Sequence, residues 1–433
     1  MSTSANKAQK LLAALERSRA ATDELFRIVK PQALYDRPIP ERHRIVFYIG
    51  HLEAFDWNLL GKFSLNLKSF HEGFDRLFAF GIDPVDGGLP SDQPSEWPRI
   101  PEVEAYRDKV RSTLDSVLAR ASFSGPSESL LLNVAIEHRL MHAETLAYMF
   151  HQLPLEHKFP QTDAPLSVLS KLQLRMVEIP AGPATLGLTR NETFGWDNEF
   201  EMHIVVVPAF AIENHKVTNE QFFKFLEAGG YEEARLWSKE NWDWIKQQEI
   251  RYPVFWTKRG SEWRYRTMFD EVPLPLDWPV YVSHAEASAY AKWAGKALPT
   301  EAQWHRAALG TREGRERAYP WSAEAPAARH GNFDFQRWDP APVGAFPAGD
   351  SAFGVAELVG NGWEWTSSIF EPFQGFEPFP FYPGYSANFF DGKHYVMKGG
   401  SGRTAACMLR RSFRTWFQGH YQYIYAGFRC VEN

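Results

Sequence analysis

The chain of 433 residues is 44% hydrophobic and 15% aromatic, which excludes a disordered or fibrous protein and leaves material for two or three domains with cores. A net charge of −6 gives no electrostatic footprint for nucleic acid or an anionic membrane. With only Cys407 and Cys430, a disulfide scaffold and a cysteine-held zinc site are excluded; with no signal-peptide core or long apolar run, the sequence predicts a cytoplasmic protein with no obligatory protein partner.

From about residue 5 to residue 154 the hydrophobic spacing is helical. It predicts helices over about Ala5–Lys30, from about Pro40 through HRIVFYIGHLEAFDWNLLGKFSL, over about Pro101–Arg120, and over Ser124–Pro154. One long connection, about Gly81–Arg99, is rich in Pro, Gly and Asp. Residues 1–154 therefore read as a helical bundle. In the second helix Ile45, Tyr48, Leu52, Phe55 and Leu59 form the apolar stripe, and His51 lies beside Leu52. In the fourth, Leu131, Ala135, His138, His142, Leu146 and Met149 share one stripe, so both imidazoles point inward, about 6 Å apart at i, i+4. Glu144 points away from that face.

Bundle cores often house metals held from facing helices. His51, His138 and His142 on two helices would leave an open face for water, substrate or O2. Three neutral imidazoles suit Zn(II) or Fe(II) equally on ligand chemistry alone.

Residues 155–175 form a polar linker, and the texture then changes. Residues 176–433 show short apolar runs broken by Gly, Pro, Asn and Trp, with helical periodicity only in Thr218–Ala228 and His284–Leu309. Such a domain holds itself by aromatic packing and side-chain to backbone hydrogen bonds.

The segments IPAG…LG, VTNEQFFKFL, PVYVSHAEASAYAKWAGKALPTEAQWHRAALG, NGWEWTSS, KGGSG and GFR resemble, in order, the formylglycine-generating-enzyme (sulfatase-modifying factor) fold, a C-type-lectin-like domain. Trp363 and Trp365 match that fold's core. Cys407 and Cys430 do not match the copper-holding pair of those enzymes. The first part resembles a DinB-like four-helix bundle, giving an α+β protein overall. The combination, with His-x3-His-x-Glu at His138 to Glu144, is similar to the ergothioneine sulfoxide synthase family.

That resemblance implies a mononuclear non-heme Fe(II) enzyme with ligands His51, His138 and His142 and O2 as co-substrate, acting at the imidazole C2 of hercynine (trimethylhistidine). It implies a phenol that supplies a proton or hydrogen atom, for which Tyr382, Tyr385 and Tyr423, with Tyr421 and Tyr425, are the candidates. Trp416 fits a cation–π partner for the trimethylammonium group, and Arg411 and Arg414, with Arg410, fit a carboxylate. Thr415 stands where members carry Asn, Phe417 where they carry an acidic residue, and Met141 where some carry Gln. Tyr421 or a neighbour stands near the place of a donor-binding Arg, and FAFGIDPVDGG lacks a Tyr-Tyr pair found in another branch. A pocket without those charges implies the selenoneine synthase branch, with a neutral selenosugar donor whose hydroxyls meet Asp83, Asp86, Asp92 and Gln93. The alternatives are an ergothioneine-type sulfoxide synthase using γ-glutamylcysteine or cysteine, and a zinc-dependent DinB-type thiol transferase, which needs no O2. A metal-free or zinc-bound binding module is a further class, disfavoured by three inward histidines.

Overall fold

The computed structural model describes residues 2–79, 90–120, 125–163, 166, 173–190 and 193–432. It divides into two units, Met1–Gln161 and Thr162–Asn433. The first contains α1 (Ser2–Arg27), α2 (Ile45–Asp56), α3 (Glu72–Leu77), α4 (Ile100–Leu118) and α5 (Pro126–His151). α1 packs along α5, and α2 along α4. The expected second helix begins five residues later than its apolar pattern suggested, because Arg44 is extended at the N-cap. α3 was not expected, since six residues are too few to show a period.

α2 is the central element. Every residue in it but Phe55 is buried, including Glu53 and Asp56. It continues without a break into a π-helical segment, Trp57–Ser64, a rare widening that tends to occur near functional positions. Gly50 allows the chain after α3 to approach: a Cβ there would meet the Phe78 ring at 2.5 Å.

The second unit begins with β1 (Met176–Ile179), β2 (Gly182–Leu186), β3 (His203–Val207) and β4 (Phe210–Glu213), then α6 (Asn219–Glu227) and α7 (Lys239–Gln247). β5 (Trp256–Arg259), β6 (Glu262–Arg266) and β7 (Glu271–Pro273) form a meander, followed by α8 (His284–Trp293) and α9 (Glu301–Leu309). β8 (Trp363–Ile369), β9 (His394–Lys398), β10 (Thr415–Gln418), β11 (Ala426–Gly427) and β12 (Val431–Glu432) complete it. The sheets are small: β1-β4-β12, β10-β9-β8-β11, β2-β3 and β5-β6-β7. β12 returns to β4, so the last strand of the second unit completes the sheet that its first strand opened.

The helical stretch expected over His284–Leu309 is two helices, broken at Gly295 (φ +70°). α7 was not expected, although Ser238 caps it by accepting from Asn241 N–H. A buried polar hub explains the sequence motifs of this unit. Glu364 of NGWEW accepts two hydrogen bonds of 2.7 Å from Arg429 of GFR, one of 3.1 Å from Trp304 Nε1, and lies 3.2 Å from Lys216 Nζ. Val177, Ile179, Phe210, Ile212, Leu309, Val355 and Leu358 form the adjoining core.

Candidate metal centre

The three histidines expected from the helical stripes are buried and converge. His51 on α2 and His138 and His142 on α5 each offer a ring nitrogen, and these atoms lie within 4.8 Å of one another. His51 Nε2 and His142 Nε2 are 3.2 Å apart. His51 Nδ1–H donates to Phe78 O at 2.7 Å, which fixes the tautomer and presents Nε2 as a lone pair toward the other two rings. Aromatic faces restrict the rings: Phe47 stacks on His51 at 4.9 Å, and Phe55 on His138 at 3.4 Å.

Burial pushes all three imidazoles down, His51 to about 4 and His138 and His142 well below the usual histidine range. At neutral pH they are uncharged, the form that ligates a cation. Three nitrogens held about 2.1 Å from one ion lie about 3.0–3.4 Å apart, so the 3.2 Å between His51 and His142 already suits a shared metal, and all three nitrogens lie within 4.8 Å of one another. The residues therefore fit a single Fe(II) or Zn(II) ion.

A dense ion cluster flanks the triad, and sequence reasoning missed it. Arg139, between the two histidines of α5, donates to Glu53 Oε1 (3.0 Å), Asp56 Oδ2 (2.7 Å) and Leu52 O (2.9 Å) of α2. Burial opposes a charge on Glu53, but Arg139 and Arg111 outweigh it and bring the carboxyl down to about 2. The available signal was a pair of acidic residues inside an otherwise apolar helix, which burial tolerates only with partners.

The remaining expected residues sit as follows. Met141 is half-buried on α5, one residue before His142. Trp416 lies on β10, an edge strand, stacked on Phe370 at 4.1 Å and edge-on to Tyr385 at 5.4 Å. Tyr385 also stacks on Trp196 at 3.9 Å and neighbours Tyr382 at 5.7 Å. Phe417 stacks on Tyr421 at 5.2 Å, and Tyr421 meets Tyr423 edge-on at 5.5 Å. Successive strand residues face opposite ways, so Trp416 with Tyr382 and Tyr385 forms one cluster and Phe417 with Tyr421 and Tyr423 another. Thr415 begins the strand.

The guanidiniums are engaged within the fold. Arg414 donates to Glu301 (3.0 Å) and to the carbonyls of Asn198 and Glu371, Arg411 pairs with Glu316, and Arg410 donates to Glu199 (2.9 Å). Asp92 is taken up by Arg37, Arg44 and Trp97 Nε1, and the Gln93 side chain donates to Ser91 O. Both are thus committed locally, while Asp83 and Asp86 lie outside the described residues. Among the described residues no helix is long and apolar enough to cross a membrane.

Comparison with known proteins places these observations. Residues 14–149 match the DinB superfamily, and residues 168–433 match the sulfatase-modifying factor enzyme 1-like domain. The hercynine oxygenase of Mycobacterium tuberculosis is 37% identical over 76% of this chain and 76% of its own length. That of Mycolicibacterium smegmatis is 37% identical over 76% of this chain and 77% of its own. The ergothioneine biosynthesis protein 1 of Neurospora crassa is 30% identical over 96% of this chain, which spans 56% of that longer protein. With both domains matched and a relative at this identity covered over three quarters of its length, the chain belongs to the hercynine oxygenase family.

Proposed function

We propose that this chain is a mononuclear non-heme iron enzyme that joins the sulfur of a thiol to C2 of the hercynine imidazole, with His51, His138 and His142 holding the iron. The convergence of three neutral, buried imidazoles in the bundle carries this reading. The balance is one C–H and one S–H consumed and one C–S and one S–O bond formed, with O2 accepting four electrons and its second oxygen leaving as water. Bound Fe(II) supplies the redox chemistry and a common point of attachment for the reactants.

The protein's own residues prepare that point. The Phe78 carbonyl sets the His51 tautomer, Phe47 and Phe55 limit ring rotation, and burial keeps the imidazoles neutral. In the second unit we assign the aromatic cluster of Trp416, Phe370 and Tyr385 to the trimethylammonium group, and Tyr382, Tyr385 and Tyr423 remain the candidate phenols. Thr415 and Phe417 complete the proposed substrate contacts of that unit, with Arg411 and Arg414 bracing them through Glu316 and Glu301, and Met141 is the proposed contact on the bundle side.

The donor is the finer question. The named relatives, among them an ergothioneine biosynthesis protein, support a sulfur donor, for which γ-glutamylcysteine and cysteine are the thiols to offer. The uncharged Phe417–Tyr421 stack supports a neutral donor, and so a selenosugar as the second reading. The test is turnover of the Fe(II)-loaded protein with hercynine, aerobically and anaerobically, offering γ-glutamylcysteine, cysteine and a selenosugar together, read by mass spectrometry. A thiol-derived sulfoxide formed only with O2 is the expected result. Preferred selenosugar use establishes the second reading; thiol transfer without O2 establishes the zinc-type transferase; absence of any hercynine-derived product overturns the assignment. His51→Ala, His138→Ala and His142→Ala are each expected to abolish iron binding in a folded protein, and full iron occupancy in them overturns the ligand set.

A further inference from the structure

A metal site needs ligand atoms fixed to within about half an ångström, and here they come from two helices joined by no short loop. Apolar packing alone resists rotation and sliding of one helix on another only weakly, because many registers bury similar area. A guanidinium fork is directional: its N–H groups satisfy carboxylates and carbonyls only in one arrangement.

Arg139 occupies the position from which such a fork controls the register. It follows His138 directly and precedes His142 by three residues, on the flank of the ligand face. Three of its four hydrogen bonds land on Leu52 O, Glu53 and Asp56, the residues immediately after His51 and one further turn along α2, and the fourth, a long one of 3.5 Å, on Thr22 Oγ1 of α1. Arg139 and Asp56 are wholly buried, and Glu53 is 1% exposed. Arg111 of α4 carries the link outward, donating to Glu53 Oε1 at 2.7 Å and to both Asp23 oxygens of α1 at 2.7 and 2.9 Å. Arg19 of α1 lies 3.8 Å from Asp56 and 2.6 Å from Asp115 of α4. Buried ion groups of this kind seldom add stability over well-packed apolar residues, so stability alone does not account for placing one against the triad.

We propose that Arg139, clamped by Glu53, Asp56 and the Leu52 carbonyl, is a positioning residue that sets the register of α5 on α2 at which His51 meets His138 and His142. The proposal rests on the metal assignment above. It makes the centre a product of two linked layers, the imidazoles and a salt-bridged collar that spans α1, α2, α4 and α5.

The test uses the full chain and Co(II) alone, whose visible ligand-field spectrum reports coordination geometry. Two variants are compared with the wild type: Arg139→Lys, which keeps the charge but loses the fork, and the neutral triple variant Arg139→Met, Glu53→Gln, Asp56→Asn, which removes the ions together. Helicity and thermal midpoint establish folding. Each folded variant is expected to bind Co(II) about 10–100-fold more weakly, with a changed ligand-field spectrum, as is found when groups supporting metal ligands are removed. Arg139→Lys is expected to lose less than the triple variant. Wild-type affinity and an unchanged spectrum in either folded variant overturn the proposal. His51→Ala, run alongside, separates the two claims: if it also keeps Co(II) at wild-type affinity, the ligand assignment has failed rather than the collar.

Discussion

The two units solve the problem of burying polar groups in opposite ways. In the bundle, long helices satisfy their own backbone, and the buried Arg19, Glu53, Asp56 and Arg139 gather in one collar beside three histidines. In the second unit, strands of two to seven residues leave much backbone outside regular ladders, and buried side chains such as Lys216, Asn361 and Arg429 take up carbonyls throughout. The six-residue α3 of the bundle is capped by His71, and the helix ends otherwise differ between the units. Thr218, Ser238, Ser283 and Thr300 cap α6 to α9 with their side chains, whereas Arg44 and Gly125 do not cap α2 and α5. Helices of nine or ten residues need that help; a helix of 26 residues spreads its end cost over many turns. The lesson is that charge serves integrity in one unit and, in our reading, geometry in the other.

Glu364→Gln gives the largest expected effect. It leaves Arg429 and Lys216 buried without their carboxylate and costs about 3–5 kcal/mol, read as a lower denaturant midpoint for the second unit. An unchanged midpoint would break the contrast.

A pH effect of similar size follows from His215, also in the second unit. Burial pushes it down to about 4, and its Nδ1–H donates to Lys216 O. Above pH of about 6.5 neither the folded nor the unfolded chain protonates it; as pH falls from there toward 4, only the unfolded chain binds the proton. Stability is thus lost on acidification, by about 3 kcal/mol at full effect. His215→Asn is expected to flatten the dependence of the unfolding midpoint on pH over that window, and an identical slope would remove His215 from the account.

Gly50→Ala sharpens the comparison from the side of the bundle. The added Cβ collides with Phe78, whose carbonyl orients His51. We expect a loss of about 1–3 kcal/mol in stability, together with weaker Co(II) binding out of proportion to it. Equal losses of stability and no change in metal affinity would show that the Phe78 contact is structural only. The smallest effect is expected from Ser238→Ala, which removes the cap of α7 and costs about 1 kcal/mol in chemical denaturation.

The bundle and its triad were legible because helical periodicity places His51, His138 and His142 on inward stripes without any knowledge of neighbours. The order of short motifs likewise disclosed the second domain. Individual contacts there were not legible: Trp416 and Phe417 are adjacent in sequence yet face different aromatic clusters, and Arg410, Arg411 and Arg414 meet Glu199, Glu316 and Glu301 from distant parts of the chain. A helical wheel assigns one face to the core, but every residue of α2 except Phe55 is buried, and no wheel shows that partners on α4 and α5 enclose Glu53 and Asp56.

By itself, then, the sequence determined that His51, His138 and His142 lie on the apolar stripes of their helices and so are candidate metal ligands, since that depends only on a local repeat. Tertiary structure decided what surrounds them: the tautomer of His51 set by Phe78, the fork of Arg139 across two helices, and the pairing of Arg410, Arg411 and Arg414 in the second unit. Those depend on residues 27 to more than 200 positions apart, and no local repeat encodes such distances.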